Sequence, residues 1–136
     1  LYQYLIYTGQ TRPVLEIRHC WHLPAKLDVE AIRKAAAKLV GKKDFKSFAA
    51  AADKRESSVR TIFRCDVVED GQWLYFEVEG DGFLYNMVRN IVGTLVDVGC
   101  GRIAPEQIET IIQAQDRRAA GGIAPAEGLC LMWIKY

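Results

Sequence analysis

The sequence predicts an α+β fold, a mainly antiparallel sheet with helices flanking it. Two observations carry that reading. Stretches with strand and helix periodicity follow one another as strand, helix, hairpin, two helices and strand, and residues 59–69 and 73–79 alternate apolar and polar side chains on either side of Asp70-Gly71, the signature of a β-hairpin. A length of 136 residues, 50% of them hydrophobic, suits one domain spanning residues 1–136, able to bury about two-thirds of its unfolded surface. With 26% charged residues, 11 Gly and 4 Pro, neither a disordered nor a fibrous chain fits.

Taken in order, Tyr2-Gln3-Tyr4-Leu5-Ile6-Tyr7 is rich in aromatic and β-branched side chains and is closed by Thr8-Gly9-Gln10, so a strand is expected. Residues 14–23 read as a second, irregular extended stretch. Asp28, after Pro24, is a suitable N-cap, and Ala31, Ile32, Ala35, Ala36, Leu39 and Val40 then recur at helical spacing until Gly41 ends the pattern. Asp44-Phe45-Lys46-Ser47-Phe48 reads as a short helical turn, followed by a loop to Ser58. Beyond the hairpin, Leu84, Met87, Val88, Ile91, Val92, Leu95, Val96 and Val98 cover much of a helix circumference, which places this helix deep in the protein, with Gly99 as its stop. Ile108, Ile111 and Ile112 mark a shorter amphipathic helix after Pro105. Gly121-Gly122 and Pro125 form a loop, and residues 129–134 a last strand.

No apolar run reaches the roughly 18–20 residues of a membrane span, and Leu1 opens neither a signal nor a transit peptide, so a cytoplasmic protein is expected. The first residue is not Met and a strand begins at once, which suggests a subdomain of a longer polypeptide. Cys20, Cys65, Cys100 and Cys130 contain no C-x-x-C pair, which disfavours a zinc knuckle, a redox pair or a disulfide scaffold and leaves buried thiols. A metal or redox protein using His19, Cys20 and His22 is the weakest reading, because further ligands are lacking nearby.

The net charge is only +1, yet it is unevenly spread. Between residues 28 and 64, Arg33, Lys34, Lys38, Lys42, Lys43, Lys46, Lys54, Arg55, Arg60 and Arg64 outnumber Asp28, Glu30, Asp44, Asp53 and Glu56, and the remainder of the chain to residue 136 is acidic. A basic face of this kind suits a polyanion such as RNA, although a solvated helix and loop account for it as well.

The one chemical anomaly lies in Phe83-Leu84-Tyr85-Asn86-Met87-Val88-Arg89-Asn90-Ile91-Val92-Gly93, where a guanidinium sits on a nearly all-apolar helix. An arginine keeps its proton and an unpaired buried charge is costly. Arg89 is therefore expected to meet a carboxylate or a phosphate, or else to reach the helix edge or pair with one of the chain's own acids.

That string, with Thr94-Leu95, the V-G-x-G that follows, Asp116-Arg117, Ala124-Pro125-Ala126-Glu127-Gly128-Leu129-x-Leu131 and Tyr136, closely resembles the C-terminal signature of the TruA family of tRNA pseudouridine synthases. Upstream, Tyr2-x-Tyr4-x-x-Tyr7, Leu27-Asp28, Gly41-x-x-Asp44-Phe45-x-x-Phe48 and Val59-Arg60-x-Ile62 match the same family in the same order, so the resemblance spans essentially the whole chain. It implies one half of a pseudouridine synthase fold, a central antiparallel sheet shared by two similar halves around a catalytic cleft, in a homodimer acting on uridines of the tRNA anticodon stem-loop. No metal or organic cofactor is implied.

Residue by residue, the resemblance makes Tyr2 the active-site tyrosine that packs on the target uracil, Arg89 the partner of the catalytic aspartate, and Leu129 a lining residue of the uracil pocket. Taken alone, Tyr2 reads as strand packing and Leu129 as core. The family aspartate belongs to a G-R-T-D-type loop that this chain does not contain, so the nucleophile is expected from the N-terminal half and this chain alone is expected to be inactive. Asp116 with Arg117 is expected to form a structural ion pair near the site. Ile123 departs from the family's Thr and removes a hydroxyl near the pocket. Lys42, Lys43, Lys46, Lys54, Arg55 and Arg60 are the residues expected to meet RNA phosphates. Arg60 leads because its V-R-x-I context matches, with a salt bridge across the hairpin as the competing role. A non-catalytic RNA-binding module, using exposed aromatics beside a basic loop, remains the alternative.

Overall fold

The computed structural model describes residues 1–10, 20–50 and 57–131, with residue 131 described by its backbone alone. In chain order the elements are β1 (Tyr2–Tyr7), β2 (Trp21–His22), α1 (Val29–Ala37), β3 (Gly41–Asp44), β4 (Val59–Asp70), β5 (Trp73–Gly80), α2 (Met87–Gly99), α3 (Gln107–Ala114) and β6 (Leu129–Leu131). Single 3₁₀ turns fall at Lys46–Phe48, Arg117–Ala119 and Ala126–Gly128. The sheet runs β2-β1-β5-β4-β3, and β6 pairs with the start of β1 along the edge that β2 occupies at its end. Every pairing is antiparallel except β1 with β2. The α+β architecture is as the sequence predicts.

Period-two alternation sorts the sheet into two faces. Tyr4 and Ile6 of β1 stand opposite Phe76 and Leu74 of β5, and Cys65 and Val67 of β4 opposite Val78 and Phe76; all are buried. Helix α1 packs on β4 and on α2 and adds Ile32, Ala35 and Ala36 to this core, while α2 adds Ile91, Val92 and Leu95. Asp28 caps α1 as expected, accepting from Ala31 N at 3.1 Å. The β4–β5 hairpin turns through Gly71 at φ +60, a left-handed geometry that glycine adopts without strain.

The structure departs from the sequence-based element boundaries at three places. Helix α1 ends at Ala37, and Gly41, at φ +118, opens strand β3 where the sequence suggests only a helix stop. A four-residue G-K-K-D strand carries no apolar alternation because it is an edge strand, where charged side chains guard the open hydrogen-bonding groups. Helix α2 starts at Met87 and not at Leu84, since Asn86 has left-handed backbone. Gly99 is the last residue of α2 and not its stop. A Cβ there would lie 2.7 Å from Ile32 Cδ1, so glycine is what lets α1 and α2 approach, and the chain turns off at Gly101, φ +82. Most of the expected extended stretch 14–23 lies outside the described residues, as do residues 132–134 of the last strand.

Gly99→Ala is expected to destabilise the fold by about 1–3 kcal/mol through overpacking. Ile32→Val, which removes the facing Cδ1 methyl, is expected to recover part of that loss. Denaturant midpoints of the single and double variants check this, and strictly additive effects would count against the contact.

Candidate active site

Tyr2, Arg89 and Leu129 converge. Tyr2 opens β1, Leu129 opens β6 opposite Tyr4, and Arg89 lies in the first turn of α2. With Phe83, Leu84, Tyr85, Asn86, Met87 and Val88 they line one cavity of about 290 Å³. No carboxylate is among these lining residues.

The loop that carries Phe83 and Tyr85 is tied to the sheet by main chain. Asp81 N donates to Thr61 O at 3.0 Å, and Thr61 N donates to the Asp81 carboxylate at 2.9 Å. Tyr2 meets Phe83 edge-to-face, with ring centroids 5.1 Å apart and planes at 88°, an arrangement aromatic quadrupoles favour.

Arg89 is held by two neutral acceptors. Its Nε donates to the Ala124 carbonyl at 2.9 Å and its Nη1 to Asn86 Oδ1 at 3.3 Å. Ala124 N returns a bond to the Arg89 carbonyl at 3.1 Å, so the two residues clasp each other. Among the described residues Arg89 has no ion pair.

Ala124 is placed by the docking of residues 121–125 onto α2. A Cβ on Gly93 would overlap the Gly122 carbonyl oxygen, so Gly93 is a notch that admits the loop. Gly121 N donates to Thr94 Oγ1 at 3.0 Å and Gly122 N to Asp97 Oδ2 at 3.3 Å. Arg117 Nη1 donates to the Gly121 carbonyl at 2.7 Å. One residue past Ala124, the Pro125 carbonyl accepts from the Tyr4 hydroxyl. Burial raises the pKa of that phenol above its ordinary value and keeps it a donor. Gly128 then rests on the Tyr4 ring, where a Cβ would stand 2.6 Å from Cε1, and Leu129 follows directly.

Gly93, Ala124, Asn86 and Phe83 were not singled out by sequence reasoning. The only signal for the dock was a glycine inside an apolar helix together with a Gly-Gly pair downstream. The expected Asp116–Arg117 ion pair is corrected: Asp116 pairs with Arg118 at 2.9 Å, because Asp116 caps a 3₁₀ turn and its carboxylate also takes the Arg118 amide at 2.9 Å. Those bonds hold the Asp116 carboxyl below its usual range. Ile123 is 43% exposed and does not line the cavity.

Of the expected RNA contacts, Lys42 and Lys43 lie on edge strand β3, with Lys43 opposite Arg60 of β4. Arg60 does not bridge the hairpin; its Nη1 donates to the carbonyls of Ser57 at 3.0 Å and Val59 at 2.7 Å. The residue that bridges the strands is Arg64, with Asp66, Glu77 and Glu79 around it. A Cβ on Gly82 would lie 3.5 Å from Arg60 Nε, so Arg60 abuts the cavity-bearing loop. Exposed Lys46 sits apart, near Asp116, and Lys54 and Arg55 lie outside the described residues.

His19 also lies outside the described residues, and His22 Nε2 donates to the Gly9 carbonyl at 2.8 Å. Among the described residues there is no cluster of three or more His, Cys, Asp or Glu able to hold a metal ion. Two cysteines are not buried as the sequence suggests: Cys100 and Cys130 are exposed, whereas Cys20 and Cys65 are buried, and burial pushes the Cys65 thiol up to about 12.

The sequence profile of a family described as tRNA pseudouridine synthase matches residues 35–136, three-quarters of the chain and all of α2, the docked loop and β6. This chain belongs to the tRNA pseudouridine synthase family. It is 44% identical over 135 residues to tRNA pseudouridine synthase A of Syntrophotalea carbinolica, covering 99% of this chain and 54% of that relative. The proteins of the same name from Moorella thermoacetica and Bacillus subtilis are 45% and 42% identical over 135 residues, with 55% of each relative covered. The chain thus spans about half the length of the curated relatives it matches. No helix among the described residues is long and apolar enough to cross a membrane.

In this chain, Gly93→Ala is expected to cost about 1–3 kcal/mol by overpacking and to expose residues 121–125 to protease. Denaturant midpoints and the rate of limited proteolysis check this; wild-type values for both would show that the notch does not hold the loop.

Proposed function

We propose that this chain supplies half of the active site of a tRNA-modifying isomerase that converts uridine to pseudouridine in the anticodon stem-loop, with the N-terminal half of the same enzyme supplying the nucleophilic aspartate. The observation that carries this reading is the convergence of Tyr2, Arg89 and Leu129 on one cavity whose lining, among the described residues, includes a cation and no carboxylate. An arginine so placed lacks only an acid, and pairing with one would keep that acid ionised for its task.

The reaction breaks the N1–C1′ bond of uridine and joins C5 to C1′; the C5 proton leaves and N1 takes one up, so nothing is gained or lost overall. The target base would enter the cavity flipped out of its stack. Tyr2 would lie on the uracil and serve the C5 proton, Leu129 would close the pocket, and Arg89 would hold the aspartate that promotes glycosidic cleavage. Lys42, Lys43 and Arg60 would take phosphates leading to the cavity mouth, and Lys46, Lys54 and Arg55 are further phosphate contacts on the strength of their charge alone. The working enzyme would be a cytoplasmic homodimer that needs no metal or organic cofactor, and this chain alone would be inactive.

The deciding experiment measures pseudouridine in transcribed tRNA treated with the full-length protein containing this chain. Arg89→Ala is expected to slow the reaction by about 10²- to 10⁴-fold, the equivalent of losing ~3–5 kcal/mol of a buried charge pair, and Tyr2→Phe by about 10²-fold or more. Near-normal rates in both would remove their assigned roles, and a wild-type protein that binds tRNA without modifying it would favour a binding module. Binding measured against salt tests the basic strands: Lys42→Ala and Arg60→Ala are each expected to lower the slope of log K on log salt by about 1, and an unchanged slope would take the phosphates elsewhere.

A further inference from the structure

We infer that Asn86 is a positioning residue: its side-chain amide, turned away from the helix by left-handed backbone, aims the Arg89 guanidinium in the cavity. The inference rests on the proposed reading of that cavity as half an active site.

Asn86 is the N-cap residue of α2, with φ 61 and ψ 10, and its side chain caps nothing. The same chain shows the ordinary alternative. Asp28, N-cap of α1, has φ −81 and ψ 93 and its carboxylate accepts from Ala31 N at 3.1 Å, as extended N-cap geometry allows. In the left-handed geometry the amide of Asn86 points elsewhere, and its Oδ1 accepts from Arg89 Nη1 at 3.3 Å. The turn itself does not need that amide. Main-chain bonds close it, from Met87 N to Leu84 O at 3.0 Å and from Asn90 N to Asn86 O at 2.9 Å.

Backbone at this φ suits glycine best, because glycine has no Cβ to strain. What asparagine adds is the acceptor oxygen. A guanidinium is a planar fork with five donors, and one bond leaves it free to swing. With Nε held by Ala124 O and Nη1 by Asn86 Oδ1 its plane is set. Among the described residues Nη2 has no partner, and it stays available to an acid from the other half. Both acceptors are uncharged, so they fix the direction of the arginine without neutralising it.

The test uses the full-length protein and Asn86→Gly, which suits the backbone and removes the acceptor. The single-turnover rate at saturating tRNA is expected to fall about tenfold or more, as small misplacements of catalytic groups do, with tRNA affinity and melting temperature not reduced. Nitrogen-15 NMR of the arginine side chains is expected to show faster rotation about the Arg89 Cζ–Nη1 bond in Asn86→Gly, and slow rotation in Asn86→Asp, which keeps an acceptor. A wild-type rate or unchanged rotation in Asn86→Gly would overturn the inference. So would a slower rate that comes with a lower melting temperature and weaker tRNA binding, since Asn86 would then be a fold residue. If the wild-type protein forms no pseudouridine, the proposed function fails, while the rotation measurement still decides whether Asn86 orients Arg89.

Discussion

The notch at Gly93 is the constraint on which the rest of the candidate site depends. Because position 93 has no side chain, the Gly122 carbonyl lies against α2, and from there one run of main chain makes three further contacts. The Ala124 carbonyl meets Arg89, the Pro125 carbonyl meets Tyr4, and Gly128 lies on the Tyr4 ring just ahead of Leu129. Each such hydrogen bond is worth only about 0.5–1.5 kcal/mol net, yet leaving its buried partner unmet costs about 1–3 kcal/mol. The loop therefore docks as a unit or not at all, and the arginine and the leucine are positioned by the same event.

Two arginines of this chain show how much setting matters. Arg64 lies on the sheet among Asp66, Glu77 and Glu79, and its bond to Asp66 is the chief cause that strengthens its hold on its proton; in such solvated surroundings an ion pair is worth about 0–1 kcal/mol. Arg89 is partly buried beside apolar and aromatic lining residues and, among the described residues, is given only carbonyl and amide oxygens. Those dipoles offset part of the cost of desolvating it and leave its charge uncompensated. A carboxylate arriving within about 4 Å would gain on the order of 4 kcal/mol at a typical effective dielectric. On the proposed reading, that gain is what holds the aspartate of the other half ionised, and closing the two halves is what completes the pair.

Periodicity made β1, the hairpin, α1 and α3 legible, since each buries one face and repeats at 2 or 3.6 residues. It failed where burial is not the cause. Strand β3 is polar because it lies at an edge, and Leu84 is apolar because it lines the cavity rather than because it is helical. Asp116 was matched with its sequence neighbour Arg117, whereas a capping aspartate turns back on the residue two places on. The dock was invisible because the groups that residues 121–125 contribute to it are main chain, and any sequence supplies those. Tyr2, Arg89 and Leu129 came from the family resemblance; their own residue types read as packing and as one misplaced charge. What the structure adds is that three residues at positions 2, 89 and 129 line the same cavity.

The same connectivity links the basic edge to the cavity. Lys43 lies opposite Arg60, Arg60 abuts Gly82, and the next residue, Phe83, packs on Tyr2. Between them, Thr61 and Asp81 exchange two hydrogen bonds, so the loop cannot shift without moving β4. On the proposed reading, a phosphate bound at Lys43 and Arg60 would then sit at a fixed distance from the Tyr2 ring that is proposed to stack on the base. Phosphate contacts alone carry no sequence information, but at a fixed distance from a pocket they select which nucleotide along the strand can reach it. On the proposed reading, the site's choice of uridine is therefore partly a matter of reach, set by β4 and the loop it holds, with the pocket around Leu129 left to test the base that arrives.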